Sequence, residues 1–201
     1  MTAKLLFLLG SYLLGAFPTG YLLFKWSERK DIRRYGSWAT GATNVLRLKG
    51  LRLALPVALV DLAKGAAPAL LAQHLFADPG FSALSASAAV VCHCFPVYIG
   101  FRGGKGVATA AGAMFALAWL PAVLCLAVFV LVVAATRFVS AGSVLAAVLF
   151  PVFALLARAP RPLVLLSLPI VFVILIRHTS NVGRLLRGKE RKFGQKTDLE
   201  S

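Results

Sequence analysis

The chain has 201 residues, is 59% hydrophobic and only 14% charged, and carries a net charge of +15. Its apolar residues come in long unbroken runs, which excludes an ordinary soluble core and predicts an integral membrane protein, with residues 1–201 forming one domain. The charge does not point to nucleic acid, because 18 of the 22 Lys and Arg residues flank apolar runs: eight in Lys25–Arg52, seven in Arg177–Lys196, Arg102 and Lys105 in a glycine loop, and Arg137.

In chain order the pattern predicts about seven transmembrane helices, near 4–24, 53–75, 81–99, 106–119, 121–136, 141–157 and 162–177, and so an all-α polytopic bundle. The first run is longer than a usual signal core and lacks a small-x-small cleavage site, so it reads as a retained span. The stretch Val107–Thr136 would be roughly 45 Å long as one straight helix, too long for one crossing, and is divided near Trp119-Leu120-Pro121. That parity keeps the basic segments on one side. The positive-inside rule then puts the N-terminus outside and the C-terminus in the cytoplasm.

The loop after the first span runs Tyr-Gly-Ser-Trp-Ala-Thr-Gly-Ala-Thr-Asn-Val-Leu-Arg from Tyr35 to Arg47. Ser37, Thr43 and Asn44 offer neutral hydrogen bonds and Arg47 a fork suited to phosphate; the plainer reading is a surface turn and a short helix capped by Thr43 or Asn44. In the second span Asp61 and Lys64 lie three apart on one helical face. A lone charge there would cost on the order of 2.5 to 3.5 kcal/mol, so the two are expected to pair, as a structural tie or at the edge of a substrate cavity.

The third span ends Cys92-His93-Cys94-Phe95-Pro96, where an interior His reads as an orienting group; with Cys125 the cysteines form no zinc or disulfide pattern. It delivers the chain into Gly-Phe-Arg-Gly-Gly-Lys-Gly-Val-Ala-Thr, Gly100 to Thr109. Backbone N–H groups of Gly103, Gly104 and Gly106, with Arg102, Lys105 and the start of the next helix, could converge on an anion. Further on, Arg137, Ser140 and Ser143 form a corner read equally well as a snorkelling Arg with helix caps. The last span leads into Arg177, His178, Asn181 and Arg184, with His178 and Asn181 on one helical side, and then into a basic stretch, Arg187–Lys192, that suits an anionic lipid surface.

Several chemistries are missing. The glycine loop fails the Walker A pattern, and the chain has no acidic cluster for magnesium, no zinc motif, no dinucleotide fingerprint and no Gly-x-Ser-x-Gly elbow. A reaction free of metal, cofactor and nucleotide is expected. A small anion transporter would also need basic loops and interior polar groups, but would show paired repeats and sites at the bilayer midplane. A lipid phosphotransferase would need paired acids for metal, and thioester-using acyltransferases a His-x4-Asp pair that is absent.

Laid side by side, these segments resemble the PlsY family of bacterial membrane acyltransferases. The resemblance spans almost the whole chain and rests on five motifs in order: Gly41–Arg47 (Gly-Ala-Thr-Asn-Val-Leu-Arg), Asp61–Gly65 (Asp-Leu-Ala-Lys-Gly), His93–Val97 (His-x-Phe-Pro-Val), Phe101–Thr109 and Arg177–Asn181 (Arg-His-x-x-Asn). It departs where the family usually reads Gly-Ser-Gly-Asn, here Gly36-Ser37-Trp38-Ala39.

The resemblance implies transfer of a fatty acyl group from acyl phosphate to the 1-hydroxyl of sn-glycerol 3-phosphate, the first acylation of phospholipid synthesis, with no covalent acyl-enzyme. It implies a bacterial cytoplasmic membrane location, a site facing the cytoplasm, contact with membrane lipid and no obligatory protein partner. Ser37, Lys105, His178 and Asn181 are the expected catalytic residues. Thr43, Asn44, Arg47, Asp61, Lys64, Arg102, Gly103, Gly104, Gly106, Ser143 and Arg177 are expected to bind substrate. The hydroxyl proton goes to His178 or to a donor phosphate oxygen.

Overall fold

The computed structural model describes residues 1–197, and within them the chain is all-helical. In order come α1 (Thr2–Ala16), α2 (Thr19–Glu28), α3 (Ala42–Lys49), α4 (Leu51–Phe76), α5 (Pro79–Cys94), α6 (Val107–Leu117), α7 (Trp119–Thr136), α8 (Val139–Leu156) and α9 (Arg161–Leu186). Short 3-10 turns occupy Ile32–Arg34 and Val97–Ile99. Six stretches are long and apolar enough to cross a membrane, with α1 and α2 together making the first; α6 is the shorter seventh. This matches the expected bundle of about seven helices, and the chain divides at Ala118, next to the predicted Trp119.

Several boundaries differ from the sequence expectation, α9 running on to Leu186 among them, and three differences have a local reason. Pro18 lacks an N–H and fixes its own φ, so the first span breaks into α1 and α2. Pro96 ends α5 early, leaving Val97–Ile99 as a 3-10 turn. The helix in the first loop starts after Gly41, so neither Thr43 nor Asn44 caps it.

Helices in lipid associate through close contact of small residues. A Cβ on Gly65 would collide with the Thr109 carbonyl, and one on Gly112 with the Leu62 carbonyl, so α4 and α6 meet backbone to backbone. Val90, Ala110, Met114, Phe150 and Ile174 form the main core, joining α5, α6, α8 and α9. A second cluster of Phe24, Ile32, Val45 and Val57 fastens the 29–50 loop onto α2 and α4. Gly106 sits against Cys94 and Val90 while Ala113 clusters with Ala86, so α6 runs antiparallel to α5.

Candidate functional site

A cavity of about 330 Å³ opens where α3, α6, α8 and α9 converge. One end is polar, with Ser37, Arg47, Lys105, His178 and Asn181; the other runs between α6, α7 and α8 past Met114, Phe115, Ala122, Leu126 and Phe129. An amphiphile with an anionic head and a hydrocarbon tail fits that division.

The polar end begins with the loop before α3. The side-chain oxygen of Asn44 accepts the Ser37 N–H at 2.9 Å, while its amide nitrogen donates to the carbonyls of Ala39 (2.9 Å) and Tyr35 (3.2 Å). Asn44 therefore organises the loop, with its amide already engaged, and aims Ser37. Trp38 stands at φ 59°, with its indole exposed. Glycine tolerates that left-handed conformation best, which gives a backbone reason for the usual Gly at this place. One turn into α3, Arg47 is buried to 8% exposure, has no ion-pair partner among the described residues, and is pushed to lower basicity by burial.

The glycine loop is built differently from the expected anion turn. The Gly103 N–H donates to the Cys94 carbonyl (3.2 Å) and the Gly104 N–H to the His93 carbonyl (3.1 Å), so both amides are already spent on α5. Arg177 grips the other side, donating to the Gly103 carbonyl at 2.9 Å and the Gly104 carbonyl at 3.0 Å, with its guanidinium over Phe95. Side chains are excluded because a Cβ on Gly104 would strike the His93 imidazole, and one on Gly103 the His93 carbonyl. The free anion-facing groups lie beyond, at Lys105 and the first turn of α6, where Gly106, Val107 and Ala108 line the cavity.

Lys105 points its ammonium at the side-chain oxygen of Asn181. Burial is the main cause that pushes it down to about 7; Glu190 opposes this, and Arg47, Arg184 and Arg177 reinforce it. Asn181 is held in turn, its amide nitrogen donating to Glu190 at 2.6 Å. Glu190 also accepts from Ser140 at 2.9 Å and from Arg184 at 2.8 Å. Burial raises the Glu190 pKa, but these three hydrogen bonds outweigh it and the net shift is downward. His178, one turn before Asn181 on α9, places Nδ1 2.8 Å from the Ile174 carbonyl. A carbonyl can only accept, so Nδ1 carries the hydrogen and Nε2 keeps its lone pair.

Other expected site residues fall into separate groups. Thr43 and Ser143 line the cavity, though the Ser143 hydroxyl donates to the Val139 carbonyl of its own helix. Asp61 and Lys64 pair at 2.9 Å, with side chains 2% and 3% exposed. Asp61 reaches the cavity wall beside His93, whereas Lys64 turns away and donates to the Phe17 carbonyl at 2.9 Å. Arg102 is exposed in an outer groove and does not line the cavity; Gly103, Gly104 and Arg177 form its frame.

The sequence reading missed Glu190. The stretch Arg187–Lys192 does not lie as a free basic tail. It folds back so that Glu190 is 7% exposed, the Phe193 N–H donates to the Arg137 carbonyl at 2.6 Å and the Thr197 N–H to the Arg47 carbonyl at 3.1 Å. The available signal was one acid set among seven basic residues.

The family model described as glycerol-3-phosphate acyltransferase matches residues 5–188. A glycerol-3-phosphate acyltransferase of Synechococcus sp. (strain JA-2-3B'a(2-13)) is 45% identical over 98% of both chains. One from Shouchella clausii (strain KSM-K16) is 44% identical over 92% of this chain and 93% of the relative. Among solved structures, the chain resembles PlsY (YgiH), an integral membrane glycerol 3-phosphate acyltransferase, in its glycerol 3-phosphate form, with a TM-score of 0.92 and 35% identity over 96% of both chains. The lysophosphatidic acid form of PlsY matches with a TM-score of 0.88 and 34% identity, again over 96% of both chains.

Proposed function

The chain belongs to the glycerol-3-phosphate acyltransferase family of integral membrane proteins, and from that premise we propose that it transfers a fatty acyl group from acyl phosphate to the 1-hydroxyl of sn-glycerol 3-phosphate. The products are lysophosphatidic acid and inorganic phosphate. One observation carries this reading: a single cavity joins a cationic end, where Arg47 is buried and Lys105 half-buried, both without carboxylate ion pairs among the described residues, to an apolar channel between helices. Both substrates bear phosphate, and the donor bears a hydrocarbon tail.

Lys105 and the first turn of α6 hold the donor phosphate, and the acyl chain lies along Met114, Phe115 and Phe129. Arg47, with Ser37 and Thr43, holds the phosphate of glycerol 3-phosphate. The 1-hydroxyl oxygen attacks the acyl carbonyl carbon, the carbon–oxygen bond to phosphate breaks, and the phosphate leaves. His178 Nε2 accepts a hydrogen bond from the hydroxyl and fixes its direction. The proton ends on the departing phosphate, because that anion would otherwise leave as a far more basic trianion.

An acyl phosphate is a mixed anhydride, so positioning and charge stabilisation can supply the catalysis without an acyl-enzyme. Among the described residues no group of three His, Cys, Asp or Glu side chains could hold a metal ion. The chain, residues 1–201, acts as one domain in the bacterial cytoplasmic membrane, with the cavity facing the cytoplasm. The basic segments at Lys25–Arg52, Arg102–Lys105, Arg137 and Arg177–Lys196 support that orientation.

The deciding assay incubates the purified protein with palmitoyl phosphate and glycerol 3-phosphate, without metal or coenzyme A. Lysophosphatidic acid is the expected product. Silence with acyl phosphate alongside activity with palmitoyl coenzyme A would refute the donor.

A further inference from the structure

The glycine loop has a second face. Away from the cavity, Gly100 and Arg102 border an open outer groove whose remaining walls are Phe17 and Pro18 at the break between α1 and α2, Tyr21, Leu22 and Lys25 of α2, and Arg33, Tyr98 and Ile99. Its floor, at the break between α1 and α2, is apolar, and Phe17 and Leu22 are 46% and 41% exposed. Its upper end is basic, and no acidic side chain lines it among the described residues.

The cations there differ in how they are engaged. Arg33 is paired with Asp31 at 2.7 Å, donates to the Ile99 carbonyl at 2.6 Å and stacks over Tyr21, so it holds the groove together. Lys25 donates to the Tyr21 hydroxyl at 3.3 Å and stands 5.5 Å from the centre of that ring, and neither it nor the exposed Arg102 has an ion pair among the described residues. Both are available to an anion. Tyr98 and Phe101, 54% and 57% exposed beside them, are the aromatic kind of side chain that settles at the lipid–water boundary.

We propose that this groove binds one anionic phospholipid from the surrounding leaflet. Lys25 and Arg102 take its phosphate, Tyr21 and Tyr98 flank the glycerol region, and Phe17, Pro18 and Leu22 receive an acyl chain. A free phosphate would satisfy the upper end but leave the exposed apolar floor bare; a lipid covers both. The proposal is independent of the reaction, since none of these residues lines the catalytic cavity. It gives Arg102 a ligand that is not a substrate.

The test titrates the full chain in neutral detergent with phosphatidylglycerol or chain-matched phosphatidylcholine and counts bound lipid by native mass spectrometry. Wild type retains one phosphatidylglycerol at least tenfold more tightly than phosphatidylcholine. Each cation near an anionic lipid contributes about fivefold, so Lys25→Gln combined with Arg102→Gln removes the preference while the double variant still folds, both side chains being exposed. Lys105→Met, altered only in the catalytic cavity, keeps it, and millimolar glycerol 3-phosphate does not displace the lipid. Equal retention of the two lipids by wild type overturns the proposal, as does a preference that survives the double substitution. So does its loss in Lys105→Met, which would place the lipid in the catalytic cavity, or displacement by glycerol 3-phosphate, which would show that a free phosphate suffices.

Discussion

Lys105 must be an ammonium to hold a phosphate, yet burial pushes it down to about 7 from the ordinary 10.5. In the free protein the charged fraction is therefore roughly 24% at pH 7.5 and roughly 3% at pH 8.5, a fall of about eightfold. Phosphate monoesters are already dianions over that window, so their own titration does not contribute. We expect kcat/KM, measured by phosphate release from palmitoyl phosphate, to drop about eightfold between pH 7.5 and 8.5, since that parameter reports the free enzyme. Bound phosphate dianion favours the protonated lysine, so kcat at saturation should fall by less. Lys105→Arg keeps its charge throughout, and whatever activity survives its altered geometry should vary less than twofold over the same range. A flat wild-type profile, or an unchanged basic limb in Lys105→Arg, would refute the reasoning. Stability runs the opposite way: a lysine with a lowered folded-state pKa penalises the native state most below pH 7, and the penalty lifts as pH rises from about 7 towards 10.5.

His178→Ala should lower turnover by roughly 100-fold with little change in glycerol 3-phosphate affinity; near-normal turnover in a steady-state assay would eliminate its orienting role. Gly104→Ala should abolish activity because the added Cβ meets the His93 ring, whereas Gly10→Ala, with open space around it and away from the cavity, should stay within twofold of wild type. Glu190→Ala strips partners from Ser140, Asn181 and Arg184 and should cost about 2–3 kcal/mol, read as a lower thermal midpoint in micelles. Trp38→Val places a β-branched residue at φ 59° and should cost about 1–2 kcal/mol, while Trp38→Gly should leave the thermal midpoint unchanged or raise it.

Helix number and the chain division next to Trp119 were legible because hydropathy and chain length constrain them directly. So was the Asp61–Lys64 pair, since i,i+3 spacing brings charges together in any helix. The glycine loop was harder to read, because glycine permits two different things: backbone amides converging on an anion, and a backbone lying flush against another helix. Which one applies to Gly103 and Gly104 depends on the carbonyls of His93 and Cys94 and on Arg177, a partner more than seventy residues away. The loop-closing role of Asn44 was hidden for a similar reason, since only the folded chain brings its amide to Ser37 and Ala39 while it also lines the cavity. Glu190 looked like one charge in a solvated tail, and only the chain's return across α9 shows where it is buried.

α6 is 11 residues long, about 16 Å, against a hydrocarbon thickness of about 30 Å. Running antiparallel to α5, it ends with Leu117 near Ala86 and begins at the level of Val90 and Cys94. A helix that short covers only about half of that thickness, so Lys105, just before its first turn, need not stand level with the ends of the longer helices. In the proposed reaction glycerol 3-phosphate comes to Lys105 at the polar end, while the fatty tail stays in the apolar channel between α6, α7 and α8.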